Sequence, residues 1–230
     1  MRPRITQSIK WIVYLSLTVN FGIYIYDDWI AYTSAMASNA LWFKVIEQFS
    51  TSIDMAAWLG LVFLFELETY ALPDEAFKRG VTKTIHTARI ICYLGIVYAA
   101  YGYTALTLDN YKVTELADLT EICQIADQGT ALQLDVVAYT QITSENCGNI
   151  SAGAPFYKIS DDTSIIDGPT LDHVQKLGWV DVVNAFVWLI VVLLIEIEVR
   201  MHASDRFDSP ALKLVRHSNT AFYGVLIVNA

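Results

Sequence analysis

The sequence predicts an all-α polytopic membrane protein built from repeated helical hairpins, with a small disulfide-linked α/β cap on one side of the membrane. Hydrophobic residues make up 54% of the 230-residue chain and charged residues only 17%, against roughly 25% charged residues in soluble domains. The hydrophobic residues form runs long enough to cross a bilayer, and two of these runs share a motif. The net charge of −9 argues against a nucleic-acid partner, because phosphate recognition requires clustered Lys and Arg.

Four apolar runs approach the roughly 20 residues that a helix needs to cross about 30 Å of hydrocarbon. They are Trp11–Tyr26, Met55–Leu72, Ile90–Leu108 and Val180–Val199. A fifth run extends from Asn219 to Ala230, and its length as a helix is only about 18 Å. We therefore expect four full transmembrane helices and the start of a fifth, with six in the complete polypeptide.

Basic residues predict the orientation of these helices. Eleven of the 15 Lys and Arg residues lie in segments on alternate sides of the predicted crossings: Arg2, Arg4, Lys10, Lys78, Arg79, Lys83, Arg89, Arg200, Arg206, Lys213 and Arg216. The positive-inside rule then places the N-terminus in the cytoplasm. We expect the protein to lie in a plasma (bacterial inner) membrane. The chain divides into residues 1–108 (the first hairpin and third helix), 109–179 (an extracytoplasmic cap) and 180–230 (the fourth helix and partial fifth).

The predicted cap carries 11 acidic residues and 3 lysines. Its sequence predicts a helix over Asp118–Asp127, strands over Ala131–Thr140 and Phe156–Ile159, and a helix over Thr170–Leu177 with Thr170 as N-cap.

Cys123 and Cys147 fall in this predicted cap, where an oxidising compartment favours a disulfide. Two free thiols or metal ligands are the alternative, although no His or Cys pair has zinc spacing. Asn149-Ile150-Ser151 is a glycosylation sequon, and Asp161, Asp162 and Asp167 form either a solvated loop or a cation site.

The second and fourth apolar runs share a motif. Eleven residues from Trp58 to Glu68 align without gaps on Trp188 to Glu198, with identity at six positions. Tyr14-x-x-Leu17-x-Val19-Asn20 recurs more weakly as Tyr223-x-x-Leu226-x-Val228-Asn229, and Tyr14-Leu15 recurs as Tyr93-Leu94. These matches predict three helical hairpins, the second of which carries the cap as an insertion.

Polar residues within the apolar runs suggest a path for ions. The repeated glutamates Glu66, Glu68, Glu196 and Glu198 lie at the predicted cytoplasmic ends. On the first helix, Ser16, Asn20, Tyr24 and Asp27 follow helical spacing toward the outer face. Asp27 and Asp28 would form an acidic mouth, joined through Asn20 to the inner glutamates. The alternative is that the glutamates pair with cytoplasmic Lys and Arg, while Asn20 forms an interhelical hydrogen bond.

Two function classes follow from these residues. One is a cation or proton channel or transporter subunit that uses the repeated carboxylates. The other is a non-catalytic complex subunit or sensor whose acidic cap binds a partner and whose hairpins form a homo-oligomer in the lipid bilayer. No protease, phosphate-loop or haem signature is present, so we predict no cofactor and disfavour an enzyme. His86, His202 and His217 are expected to be solvated, with a cytoplasmic metal site as the alternative.

Overall fold

A computed structural model describes residues 3–35, 42–68, 79–119, 121–136, 138–150, 155–159, 163–203 and 210–229. Asp161, Asp162, Ser151 of the sequon and the basic residues Arg2, Lys78 and Arg206 lie outside this described part. Six helices are described: α1 Pro3–Ala35, α2 Trp42–Gln48, α3 Ser50–Glu66, α4 Arg79–Asp109, α5 Gly168–Ala203 and α6 Pro210–Asn229.

Three segments of these helices are long and apolar enough to cross a membrane: Gln7–Ser34, Gly80–Asp109 and Gly168–Glu198. These segments support the predicted association with a membrane. Helices α2 and α3 meet the same criteria only as a pair, and their axes differ in direction by 63° at the break between them. The described part thus has three straight candidate spans, or four if the bent pair counts as one. Helix α6 begins nine residues before the fifth run predicted from Asn219.

Small residues form a seam where α3 and α4 meet and allow the two helices to pack closely. The positions of the seam recur along each helix at alternating spacings of three and four residues. A Cβ added to Gly60 would lie 2.8 Å from the Cys92 sulfur, and one added to Gly95 would lie 3.1 Å from the Ala57 Cβ. A Cβ added to Gly102 would overlap the Ser50 hydroxyl. At each of these three contacts, the close approach of the two helices therefore requires a glycine on one of them.

The cap is a five-stranded sheet with a short 3-10 turn. Its strands are β1 Val113–Glu115, β2 Ala131–Gln133, β3 Tyr139–Gln141, β4 Phe156–Ile159 and β5 Ile165–Asp167, in the spatial order β1-β4-β5-β2-β3. Only β2 and β5 pair in parallel, with Leu132 opposite Ile165. Successive strand residues face opposite sides of a sheet, and accordingly Ile165 and Ile166 join two different apolar clusters.

The cap is attached to the membrane helices through α5. The Asp167 carboxylate ends β5 and accepts a hydrogen bond from the Thr170 amide at 2.9 Å, which makes it the N-cap of α5. Leu171 and Val174 on the first turns of this helix pack in the same apolar cluster as Ile166. The helix then continues without a break to Ala203.

The structure confirms a disulfide between Cys123 and Cys147 and corrects several predicted cap elements. The predicted helix Asp118–Asp127 is reduced to a 3-10 turn, Ile122–Ile125. Asp127 has a φ of 60°, which is incompatible with a continuing right-handed helix. The predicted strand Ala131–Thr140 is a hairpin of β2 and β3. Strands β1 and β5 were not predicted, and the N-cap of α5 is Asp167 rather than the predicted Thr170.

Removing the disulfide should loosen the cap without affecting the membrane helices. Cys123 and Cys147 are 24 residues apart, so Cys123→Ser should lower the free energy of unfolding of the cap by about 3 kcal/mol on the loop-entropy account. Hydrogen exchange of the β2–β5 amides measures this change. The control Cys92→Ser alters a cysteine outside the cap and should leave the same amides protected; equal protection in both variants would contradict the prediction.

The glycine seam predicts opposite outcomes for two Gly→Ala substitutions. Gly102→Ala should destabilise the helix bundle by about 2 kcal/mol, because its methyl group would overlap Ser50. Gly22→Ala on α1 meets nothing within 4 Å and should be neutral, or stabilising by up to about 1 kcal/mol through helix propensity. The midpoint of unfolding in increasing SDS distinguishes the two. Equal midpoints would show that α3 and α4 do not require this close contact.

Candidate functional site in the membrane helices

The glutamate Glu66 is held between two helices at the end of the bundle away from the cap, here called the far end. Its carboxylate forms an ion pair with Lys10 of α1. It also accepts a hydrogen bond from the Tyr14 hydroxyl at 2.5 Å. The three side chains fix the far end of α1 against α3. This is the pairing with a basic residue that the sequence analysis gave as the alternative to an ion path.

Glu68 is also paired with a basic residue, in this case one from α4. Arg89 donates a hydrogen bond to the Glu68 carboxylate, and both side chains are about 30% exposed. Glu196, the equivalent of Glu66 in the second motif, is close enough to Tyr93 of α4 for its charge to act on the tyrosine hydroxyl. Glu198 is half-buried. The four glutamates therefore lie at the far end, where Glu66 contacts α1 while Glu68 and Glu196 lie near α4.

The buried carboxylate of Asp28 caps a helix to which it does not belong. Asp28 is 3% exposed, and one of its oxygens accepts hydrogen bonds from the Ser52 amide at 3.0 Å and the Ser52 hydroxyl at 2.6 Å. Ser52 is the third residue of α3, whose own N-cap position, Phe49, provides no side-chain bond. The amides of the first turn of a helix have no intrahelical acceptor and attract negative charge. Asp28 therefore provides from α1 the cap that α3 lacks.

The rest of the predicted stripe on α1 does not continue this contact. The structure places Ser16 and Asn20 on the exposed surface of α1, and Asp27 is half-buried. Among the described residues, Asn20 therefore does not join Asp28 to the far-end glutamates through the interior of the bundle. The predicted mouth residues Asp27 and Asp28 have different environments, since Asp27 is half-buried and Asp28 is buried against Ser52.

A second group of acidic residues, of which only Asp28 was predicted as a site residue, lies near Tyr103 of α4. The Tyr103 hydroxyl lies 3.5 Å from an oxygen of Asp54 on α3. Asp28 on α1 and Asp181 on α5 are close enough for their charges to act on the same hydroxyl. Four helices thus contribute one polar side chain each, and we call these four residues the Tyr103 cluster.

The Tyr103 cluster lies within the candidate spans, near the cap. Tyr103 precedes Asp109, the last residue of α4, by six positions, which is about 9 Å along a helix. Besides Asp28, the sequence held a signal for one member, because Asp54 directly precedes the apolar run Met55–Leu72 and lies four residues before Trp58. Nothing in the sequence predicted that Tyr103 or Asp181 would approach it, because their proximity arises from the packing of separate helices.

A network of opposite charges marks the ends of α2 and α4 beside the cap. The Lys44 ammonium lies 2.5 Å from one oxygen of Asp109 and 3.3 Å from an oxygen of Glu47. Lys112 lies 2.7 Å from the other Asp109 oxygen. The network holds the short helix α2 against α4. It also places charged groups at the level where the candidate span Gly80–Asp109 ends.

The described residues include no group of three or more His, Cys, Asp or Glu that could hold a metal ion. His86 and His217 are exposed, and the side chain of His202 lies outside the described part. Comparison of the chain with protein families, curated proteins and solved structures found no match. The candidate site is therefore defined by its own geometry, with the Tyr103 cluster near the cap and the glutamates at the far end.

The capping role of Asp28 predicts a graded series of stabilities. Asp28→Ala leaves the Ser52 amide and hydroxyl without an acceptor in a buried position, which should cost about 2 kcal/mol. Asp28→Asn keeps an acceptor oxygen and should cost about half as much. The control Asp27→Asn, on the neighbouring half-buried side chain, should be near neutral. Thermal unfolding in detergent followed by circular dichroism gives the order, and an Asp28→Ala variant as stable as the control would exclude the capping role.

Proposed function

We propose that the protein is a subunit of a channel or transporter for protons or another small cation. The Tyr103 cluster is the observation that supports this most directly. Carboxylates within a bilayer cost several kcal/mol, and they therefore generally line water or a substrate path. Here the Tyr103 hydroxyl lies 3.5 Å from Asp54 on another helix, and the charges of Asp28 and Asp181, on two further helices, act on the same hydroxyl. A hydroxyl can both donate and accept, so it can link neighbouring carboxylates into a path for a proton.

The far-end glutamates would form the other end of this path. Glu66 ends α3 and Glu68 follows it, while Glu196 and Glu198 lie on α5; the same two helices carry Asp54 and Asp181. The ion pairs of Glu66 with Lys10 and of Glu68 with Arg89 would keep a cation from these two carboxylates until the basic side chain moves away. Because Asn20 is exposed, we propose that the cation passes between α1, α3, α4 and α5 rather than along the polar stripe of α1.

An internal repeat of hairpins supports a transporter architecture. Trp58 and Trp188 hold equivalent positions in the shared motif, and their rings contact each other with centroids 5.6 Å apart. Trp188 follows Trp58 by 130 positions, and Tyr223 follows Tyr93 by the same interval. We propose that α2 with α3 forms one span and that the chain crosses four times. Parallel repeats around an axis along the membrane normal frame the substrate path in many transporters.

Burial at matching positions agrees with the proposed repeat. Ala57 of α3 and Ile96 of α4 are buried. The residues 130 positions later, Val187 of α5 and Leu226 of α6, belong to one buried cluster. We propose on this basis that the helix pair α5–α6 corresponds to the pair α3–α4.

Two features support the predicted orientation, with the cap outside a plasma membrane. The disulfide of the cap favours an oxidising compartment. The basic residues Lys10 and Arg89 lie at the far end, where the positive-inside rule expects the cytoplasm. A cation would then enter from the acidic side of the protein.

Flux measurements on reconstituted protein test the transport proposal. Liposomes containing the wild-type protein should show H⁺, Na⁺, K⁺ or divalent-cation flux that Asp54→Asn reduces at least tenfold. The double variant Glu68→Gln/Glu198→Gln should reduce it by a similar factor. Asp118→Asn, on the exposed surface of the cap, is the control and should retain full flux. Folded wild-type protein with no flux of any of these ions, or flux unchanged in both test variants, would contradict the proposal.

The second candidate function is a non-catalytic subunit or sensor whose acidic cap binds a partner. The observation that favours it is the continuous helix α5, which joins the sheet of the cap to the membrane span. A basic partner on the cap would therefore act directly on the membrane helices. Crosslinking in native membranes should then capture a partner or a second copy of the chain. A monomer in detergent that crosslinks to nothing would argue strongly against this function.

A further inference from the structure

An open cavity of about 380 Å³ lies between α2 and α4 at the end of the helices beside the cap. Four of the residues that line it are aromatic, and the only charged side chain among its lining residues is a glutamate. The lining residues are Trp42, Phe43, Ile46, Glu47, Tyr98 and Tyr101. The volume lies within the range of small-molecule sites, and we call this cavity the aromatic pocket.

The aromatic residues form two pairs, one on each helix. The rings of Trp42 and Phe43 lie 6.2 Å apart at an angle of 85°. Those of Tyr98 and Tyr101 lie 5.9 Å apart at 47°. Trp42 is 74% exposed and Tyr101 is 56% exposed, so both pairs are accessible from outside the protein. The negative face of an aromatic ring attracts a cation, and two pairs provide such surfaces from two sides.

Glu47 provides the charge in the aromatic pocket. Its side chain is only 5% exposed, and one oxygen accepts a hydrogen bond from the Tyr101 hydroxyl at 3.2 Å. The other oxygen is buried and has no hydrogen-bond donor. Lys44 lies 3.3 Å from that oxygen, but it is shared with Asp109 and does not line the pocket. A buried carboxylate thus lies beside the aromatic rings at the wall of the cavity, with one oxygen bonded to Tyr101 and the other 3.3 Å from the Lys44 ammonium.

We propose that the aromatic pocket binds an alkylated ammonium group, such as a trimethylammonium head. This group carries a positive charge but has no N–H to donate, so it gains from aromatic faces and from a carboxylate that needs no directed hydrogen bond. An inorganic cation would lose its hydration to apolar walls, and a neutral acyl chain would gain nothing from the negative faces of the four rings. The pocket lies beside Lys44, Asp109 and Lys112, the charged groups at the end of the candidate span Gly80–Asp109. The group can therefore come from a choline lipid or from a free organic cation.

The test uses the full chain in maltoside detergent and three probes: tetramethylammonium chloride, choline chloride and dihexanoyl-phosphatidylcholine below its micelle concentration. Isothermal titration calorimetry should show saturable binding of at least one probe, and sodium chloride should show none. Tighter binding of the lipid would assign the headgroup as the source. Tighter binding of choline would assign a free cation. Absence of saturable binding for all three probes would overturn the proposal.

Variants locate the binding. Trp42→Leu and Glu47→Gln should each weaken binding about tenfold. Trp29→Leu is the matched control, because Trp29 is an exposed tryptophan of α1 that does not line the pocket. Since Glu47 also pairs with Lys44, Tyr101→Leu provides a second test on an exposed side chain, and Tyr101→Phe should keep most of the affinity by keeping the ring. Unchanged binding in Trp42→Leu and Tyr101→Leu would place the ligand elsewhere and overturn the proposal.

Discussion

The hydrogen bonds from Ser52 to Asp28 are the contact on which the arrangement of the first three helices depends. The break between α2 and α3 leaves the first amides of α3 without acceptors within the apolar part of the protein, where water cannot replace them. One carboxylate from α1 satisfies an amide and a hydroxyl together. The same contact holds α1 beside the start of α3 and allows α2 to turn away by 63°. A buried carboxylate and the unpaired amides of a helix terminus each cost free energy in a bilayer, and this contact lets each satisfy the other.

The position of α2 follows from that bend and determines the chemistry near the cap. Because α2 leaves the direction of α3, it lies across α4, where Lys44 bridges Glu47 and Asp109. The glycine seam lets α3 and α4 approach closely enough for Asp54 to reach Tyr103. The aromatic pocket and the Tyr103 cluster are therefore both products of one backbone break and one run of small residues. Both features combine residues of helices that are separated in sequence.

The sequence predicted the parts of the structure that depend on local pattern. Apolar runs predicted the long helices. The Cys123–Cys147 disulfide was predicted because both cysteines lie in a segment expected in an oxidising compartment. Both predictions depend on which residue types a segment contains. The cap elements were predicted poorly, since strands of three residues carry too little alternation to be recognised. The candidate site was predicted only in part. Periodicity identified the polar stripe of α1 but could not indicate that Asn20 is exposed while Asp28 meets Ser52, because that difference depends on where α3 packs.

Helix α5 relates the two candidate functions to each other. It begins at the Asp167 cap inside the sheet, carries Asp181 toward the Tyr103 cluster, contacts Trp58 through Trp188, and reaches the far-end glutamates without interruption. A helix without a break transmits a displacement along its whole length. A partner that tilts the cap must therefore also move Asp181 relative to Tyr103. Binding at the cap and cation handling in the membrane would then be two properties of one rigid element, with the cap regulating the path that the membrane helices form.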